Sequence, residues 1–270
     1  MRKRLGQHFL KNQGVASTIV KTLSPQTGEV IIEIGPGRGA LTRPLLAACE
    51  EQSVRLLAIE RDEQLAGALE EELPKGNYTI IRGDALILLP NLVKTIAPAQ
   101  YKIVGNIPYY ITGHLLRTIG ELEHMPMLSI LMLQKEVAER IAAEPPAMNR
   151  LAAHIQIWAK PFIIGRVSKK EFDPPPDVDS AVVSLKTYMY QWLKTDEPYA
   201  ASIKKYRETV NALFAQPRKT IMNNVSAACG DFPKNELQKL LLDAGIDPLL
   251  RPQNLTIEQI ATLSSVLFNS

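Results

Sequence analysis

The sequence predicts an α/β fold, a parallel sheet flanked by helices, with a small all-helical domain behind it. Three observations carry this. Between residues 30 and 190, short β-rich runs alternate with amphipathic stretches, the pattern of strand–helix–strand units. Glycines cluster where the first of these strands turns into a helix, at Gly35, Gly37 and Gly39. After Tyr190 the β signal disappears and apolar stripes at helical spacing take over.

The elements follow in order. Val30 to Ile34 reads as a buried strand, and Ala40 to Ala48 as a helix with Leu41, Leu45 and Leu46 on one face. Val54 to Ile59 is a second strand and Gln64 to Leu73 an acidic helix. Thr79 to Arg82, Lys102 to Val104 and Leu128 to Leu133 are the third, fourth and fifth strands, with a helix from Lys135. Leu151 to Ala159 reads as helix, and Phe162 to Ile164 and Ala181 to Leu185 as strands. Between those strands, Phe172-Asp173-Pro174-Pro175-Pro176-Asp177 cannot be a central strand or a helix interior, so it is a rigid loop at the sheet edge. In the tail, Tyr199, Ile203, Tyr206, Val210 and Leu213 share a helix face; Leu237, Leu240, Leu241 and Ala244 form another, and Ile257, Ile260, Leu263 and Leu267 a third. The expected domains are residues 1–190 and 191–270.

Composition narrows the classes. With 270 residues and a hydrophobic fraction of 46%, the chain can build a real core. Cys49 and Cys229 form no CxxC pair, which disfavours a disulfide framework or a zinc site and fits a reducing cytosol. No apolar run approaches the roughly 20 residues of a membrane span. Met1-Arg2-Lys3-Arg4 is basic, but no signal-peptide stretch follows it. A cytoplasmic protein without a membrane partner is expected. The net charge of +3 permits a nucleic-acid partner without demanding one. His8, His114, His124 and His154 lack metal-ligand spacing, so no metal is expected. There is no zinc-deaminase signature, nucleophile elbow or Walker loop.

The glycine turn in Glu33-Ile34-Gly35-Pro36-Gly37-Arg38-Gly39 lets backbone approach a ligand closely. Glu60 ends the second strand, where a carboxylate can accept both ribose hydroxyls of a nucleoside. Two details favour S-adenosylmethionine over a nicotinamide. The spacing is GxGxG rather than the GxGxxG of a pyrophosphate site. Asp84, in Gly83-Asp84-Ala85 at the end of the third strand, can accept from an adenine amine. Glu33, Glu60 and Asp84 at successive strand ends suit a cationic sulfonium. The sheet is then the Rossmann-like sheet of an S-adenosylmethionine-dependent methyltransferase.

Asn106-Ile107-Pro108-Tyr109 follows the fourth strand, at the carboxyl edge where open α/β sheets bind ligands. An adenine N6 is a poor nucleophile because its lone pair is delocalised. Asn106 Oδ1 and the Ile107 carbonyl, both accepting from the amine, favour a more tetrahedral nitrogen. Pro108 stiffens the turn and Tyr109 offers a ring to stack on the base. On the residues alone Phe172 reads as a core phenylalanine; the other reading is a ring closing the base's second face.

These residues resemble the small-subunit ribosomal RNA adenine N6,N6-dimethyltransferases, the bacterial enzymes linked to kasugamycin sensitivity. The likeness runs through Leu5-Gly6-Gln7-His8-Phe9-Leu10, Glu33 to Thr42, Asn106 to Tyr110, Phe172 to Pro176 with Val178-Asp179-Ser180, and Arg218-Lys219-Thr220 with Asn223-Asn224. It implies cofactor contacts at His8, Leu10, Gly35, Glu60, Asp84 and Asn106, beside Gly37 and Ala85 of the same motifs. It also implies that Tyr109 and Phe172 embrace the target adenine. The implied substrate is a pair of adjacent adenosines near the 3′ end of small-subunit rRNA, each methylated twice, within an assembling small subunit. A monomer is expected, with the basic tail residues Lys204, Lys205, Arg207, Arg218 and Lys219 on the RNA. The chain departs from the pattern at Asn12, where aspartate is usual, at Gln216-Pro217-Arg218-Lys219, which replaces a more basic run, and at Gln253, where glutamate is common.

Three other readings share part of this pattern. The erythromycin-resistance branch, acting on one large-subunit adenine, shares the cofactor and Asn-Ile/Leu-Pro-Tyr motifs; the Gly6 to Leu10 start and the tail favour the small subunit. A non-catalytic rRNA-binding assembly factor is disfavoured by the intact Asn106 and acid set. A small-molecule methyltransferase is disfavoured by the aromatic clamp and basic tail.

Overall fold

The computed structural model describes residues 7–188, 199–230 and 232–267. Met1 to Gly6, the expected boundary at 190/191 and the Tyr199 side chain lie outside the described residues. The chain forms two compact units, one of residues 1–139 and 160–187, the other of residues 140–159 and 188–270. The segment 140–159, expected in the first domain, thus groups with the helical tail.

In chain order the first unit runs β1 (Phe9–Leu10), α1 (Gln13–Leu23), β2 (Val30–Ile34), α2 (Thr42–Glu51), β3 (Arg55–Glu60), α3 (Glu63–Glu72), β4 (Tyr78–Arg82), α4 (Ala85–Ile96), β5 (Tyr101–Asn106), α5 (Thr112–Ile119) and β6 (Leu128–Gln134). Then α6 (Lys135–Ile141) and α7 (Arg150–Gln156) lead into β7 (Ala159–Val167), β8 (Phe172–Asp173) and β9 (Ser180–Thr187). The seven-stranded sheet has the order β4-β3-β2-β5-β6-β9-β7. Strands β2 to β6 pair parallel, but β9 pairs antiparallel with β6, Met132 opposite Val182. The sheet is therefore mixed rather than parallel throughout.

The strand order reverses between β2 and β5, and open α/β sheets bind ligands at such a switch point. Gly105 makes the closeness of these strands feasible: a Cβ there would meet the Ile34 carbonyl oxygen at 2.5 Å. The strands around it are continuous apolar runs, as expected where both faces are covered. Leu23 of α1, Leu45 and Leu46 of α2, and Ile31, Leu56, Val104 and Ile130 of the sheet belong to one buried cluster.

Two local features fix the ends of helix α1. Asn12 caps α1, its Oδ1 accepting from Val15 N–H at 3.1 Å. At the other end, buried Lys102 donates to the carbonyls of Leu23 at 3.1 Å and Ser24 at 2.8 Å while pairing with buried Glu29 at 2.8 Å. The cation thus satisfies the carbonyls that a helix leaves open at its C-terminus.

The observed elements differ from the expected ones mainly at their ends. Helix α7 stops at Gln156, and Ala159 already begins β7. Helices α1, α4, α5 and α9 have no counterpart among the expected elements. In α4, Asp84 provides an N-cap and Pro90 sits inside the helix, where its missing N–H and its ring normally argue against helix. The loop 172–177 does join two strands, and its first two residues also form β8, paired with β1.

In the second unit, α8 (Tyr199–Leu213), α9 (Ile221–Ala228), α10 (Lys234–Asp243) and α11 (Ile257–Leu267) follow α7. Ile203, Tyr206, Val210 and Leu213 are buried on one face of α8, as the spacing predicts. Ile260 and Leu263 of α11 and Leu237 and Leu241 of α10 are buried likewise. The Tyr206 hydroxyl donates to the Ala153 carbonyl at 3.0 Å, giving that buried group its partner. Among the described residues, no helix is long and apolar enough to cross a membrane.

Candidate active site

One cleft at the carboxyl ends of β2 to β5 collects every residue expected to touch cofactor or base. His8, Leu10, Gly35, Gly37, Glu60, Asp84, Ala85, Asn106, Ile107, Pro108, Tyr109 and Phe172 all line it. The sheet topology explains the convergence: residues far apart in sequence stand side by side at neighbouring strand ends.

The glycine loop connects β2 to α2. Gly35, Gly37 and Gly39 have φ of 69°, 56° and 80°, a region that a Cβ disfavours. Space is also short at Gly37, where a Cβ would meet the Phe9 ring at 3.0 Å. Glu60 pins the loop: its Oε2 accepts from Gly37 N–H at 3.0 Å and its Oε1 from Asp62 N–H at 2.8 Å. Burial pushes its carboxyl pKa up; the Asp62 and Gly37 N–H groups oppose that shift. Each carboxylate oxygen still has acceptor capacity to spare.

Glu33 lies deeper, 1% exposed, and its Oε2 has no hydrogen-bond partner among the described residues. Loss of solvent pushes its pKa from 4.5 to about 8; the adjacent Thr42 hydroxyl opposes the shift, without hydrogen-bond geometry, and Glu60 adds to it. Asp84 stands two residues beyond the end of β4, not at it. Its Oδ1 caps α4 through Leu86 N–H at 2.9 Å, and its Oδ2 lies 3.5 Å from Arg61.

Asn106 is the last residue of β5. Its Nδ2 donates to the His8 carbonyl at 2.9 Å. A carbonyl only accepts, so this bond sets which end of the amide is nitrogen and leaves Oδ1 with no described donor. The Ile107 N–H donates to the Met132 carbonyl at 3.1 Å, which ties the turn to β6. Tyr109 follows in a 3-10 turn over Tyr109–Ile111. Its hydroxyl shares a 2.8 Å hydrogen bond with buried Ser180, and its ring centroid lies 6.0 Å from that of His8. Burial pushes the Tyr109 hydroxyl pKa up; the Ser180 bond opposes this and Asp179 adds to it.

Phe172 is 1% exposed and belongs to the core cluster while lining the cleft. The ring is wall and core at once, with almost no open face.

Several contacts are visible only in the structure. Residues 7–10, which include the expected cofactor contacts His8 and Leu10, form a strap over the glycine loop, held by the β1–β8 pair and by the His8 Nδ1 contact to the Pro174 carbonyl at 2.8 Å. The Arg38 guanidinium sits 4.3 Å from the Phe9 ring centroid and 3.2 Å from Asp173. Ser180 as anchor and Tyr110 as a lining residue are further additions. Only the placement of Ser180 beside Tyr109 across the sheet reveals its role; nothing local to Val178-Asp179-Ser180 signals it.

Of the basic residues expected on RNA, Lys204, Arg218 and Lys219 are exposed, and Lys205 and Arg207 are half-buried. Arg218 and Lys219 stand on a turn organised by buried Asn224. That side chain accepts from Gln216 N–H at 2.9 Å and donates to the carbonyls of Gln216 at 3.0 Å and Thr220 at 3.1 Å.

Known proteins resemble this chain along nearly its whole length. A family model described as ribosomal RNA adenine dimethylase matches residues 1–268. A protein of Bacillus cytotoxicus named ribosomal RNA small subunit methyltransferase A is 38% identical over 98% of this chain and 91% of its own length. One of the same name from Acinetobacter baylyi is 36% identical over 97% and 91%. The crystal structure of a dimethyladenosine transferase from Plasmodium falciparum superposes with a TM-score of 0.79 over 95% of this chain and 96% of that one, at 24% identity, which establishes the shared fold.

Proposed function

We infer, from a chain that belongs to the ribosomal RNA adenine dimethylase family, that this protein is an enzyme that dimethylates adenine N6 in small-subunit ribosomal RNA. The observation that carries the reading is Asn106, its amide orientation set by the His8 carbonyl and its Oδ1 left without a described donor, in a cleft shared with Tyr109 and the glycine loop.

The cleft fits S-adenosylmethionine. A buried, unpartnered Glu33 oxygen, with Glu60 and Asp84 nearby in the same cleft, suits a cation and disfavours a pyrophosphate. Gly35, Gly37, Glu60, Asp84 and Ala85, with His8 and Leu10 from the strap, would hold it. When bound, it supplies a sulfonium-activated methyl group for in-line displacement by the adenine nitrogen.

The chain's own groups do the rest. Asn106 Oδ1 and the Ile107 carbonyl accept from the two N–H groups of the exocyclic amine in the first transfer and share the one remaining N–H in the second. They draw the lone pair out of conjugation, and after each transfer the proton of the methylated nitrogen leaves to solvent. Pro108 holds those acceptors in one turn. Tyr109, anchored by Ser180, stacks on the base, and positioning supplies much of the acceleration. Phe172 bounds the base from the other side. With 1% exposure it meets the base as a wall rather than as an open stacking face.

The target is a pair of adjacent adenosines near the 3′ end of the small-subunit rRNA, met within an assembling subunit. The tail residues Lys204, Lys205, Arg207, Arg218 and Lys219 contact rRNA phosphates, which position the target rather than read its sequence. Labelled S-adenosylmethionine incubated with undermethylated small and large subunits, followed by nucleoside mapping, tests this. Dimethyladenosine at adjacent positions in the small subunit is expected. Label confined to the large subunit would overturn the assignment.

A further inference from the structure

Most aromatic side chains near the cleft are tied down. Tyr109 is anchored to Ser180, and Phe172 is in the core. Tyr110 is different. It is 53% exposed, and among the described residues it is the one large exposed apolar side chain that lines the cleft. No described residue gives it a hydrogen bond or a ring contact.

The backbone explains where it goes. Tyr109 and Tyr110 are consecutive in the 3-10 turn, started by Pro108 with φ of −55° and closed by the Ile111 N–H to Pro108 carbonyl bond at 3.1 Å. A 3-10 turn has about three residues per turn, so consecutive side chains splay by roughly 120°. Two aromatic rings thus leave one rigid turn in different directions, and both border the same cleft.

A base drawn into a pocket leaves its neighbour in the strand without a stacking partner. Aromatic rings replace such lost stacking without regard to base identity. We propose that Tyr110 is a second nucleobase subsite. Its ring stacks on the base immediately next to the adenine held by Tyr109. This rests on the reading of the cleft given above and extends it. The splay of the two rings keeps adjacent bases apart, so that one adenine enters while its neighbour is held at the mouth.

The test uses small subunits reconstituted with a synthetic 3′ rRNA segment, carrying either a normal nucleotide or an abasic residue on one side or the other of a single target adenosine. Wild-type enzyme should lose about tenfold in kcat/KM on the abasic substrate on one side only. Tyr110→Ala should lose about the same on the intact substrate and nothing more on the abasic one. Tyr110→Phe should match wild type, and cofactor affinity should not change in either variant. Additive losses, or wild-type rates for Tyr110→Ala on the intact substrate, overturn the subsite. Tyr110→Gln, which keeps an exposed polar side chain, repeats the test if the alanine variant melts early. Tyr109→Ala separates the two readings. If it is inactive while Tyr110→Ala is silent, only the second subsite falls; if both are silent, the base pocket falls with it.

Discussion

Replacing Glu33 by glutamine should change the pH dependence of stability and the affinity for a cationic cofactor in opposite senses. Glu33 is 1% exposed, and its carboxyl is held at about 8 rather than 4.5, chiefly by burial. A carboxyl whose folded pKa is raised binds its proton more tightly in the native state than in the unfolded one. Its contribution is therefore fully present below pH 4.5, is lost progressively as the pH rises, and is gone above about 8. The difference between those two values corresponds to a loss on the order of 5 kcal/mol across the window. Glutamine does not titrate. It carries a fixed cost of ~1–3 kcal/mol for a buried amide without a full set of partners. Relative to wild type, the variant should therefore gain up to about 4 kcal/mol between pH 5 and pH 9, since part of the loss has already occurred by pH 5. Urea denaturation of cofactor-free protein at pH 5, 7 and 9 reads this, because every other titrating group is present in both proteins and burial outweighs the Glu60 coupling as the cause of the Glu33 shift. In the same variant S-adenosylmethionine should bind more weakly at pH 9. Wild type should release a proton on binding near pH 7, measurable by calorimetry in buffers of different ionisation enthalpy. If the stability difference stays within about 0.5 kcal/mol from pH 5 to pH 9, Glu33 does not hold a proton and the reasoning fails.

Other substitutions test the remaining parts. Glu60→Ala and Asp84→Ala should each weaken S-adenosylmethionine binding by roughly 1–3 kcal/mol; calorimetry showing unchanged affinity in both would remove them from the pocket. Asn106→Ala should lower single-turnover methylation about 100-fold or more while changing cofactor affinity little. A wild-type rate would exclude the amide from the chemistry. Asn224→Ala should cost ~1–3 kcal/mol in thermal or urea unfolding and weaken subunit binding, because three backbone partners of the 216–220 turn lose their bonds. Arg218→Glu with Lys219→Glu should lower subunit binding and flatten its salt dependence without altering cofactor affinity; an unchanged salt slope would show that the turn does not face phosphate.

The sheet was legible because its central strands are buried on both faces and read as unbroken apolar runs. The site was legible for a related reason. An α/β sheet gathers the ends of its parallel strands at one edge, so Glu33, Glu60 and Asn106 had to be neighbours once the strands were placed. Helix α4 was not legible. Its apolar run surrounds Pro90, and only the Asp84 cap with the packing of buried Leu89 and Val93 makes helix the better choice. Nor was the β1–β8 pair. A two-residue strand has no periodicity to read, and its partner lies more than 160 residues away, Phe9 opposite Asp173.

Asn12 shows how far such unread contacts reach. The family resemblance marks it only as a departure from aspartate. In the structure its Oδ1 caps α1 and its Nδ2 donates to Glu171 Oε2 at 2.8 Å. An aspartate could make the cap but would place a second carboxylate against Glu171. The same stretch is joined again by the Lys11 N–H, which donates to the Glu171 carbonyl at 2.8 Å. These bonds hold the strap that carries His8, and the His8 carbonyl is what orients the Asn106 amide. A side chain at the entrance of α1 therefore bears on the orientation of the Asn106 amide through the backbone between them. The amide at position 12 is compatible with the site because Glu171 is there to receive it.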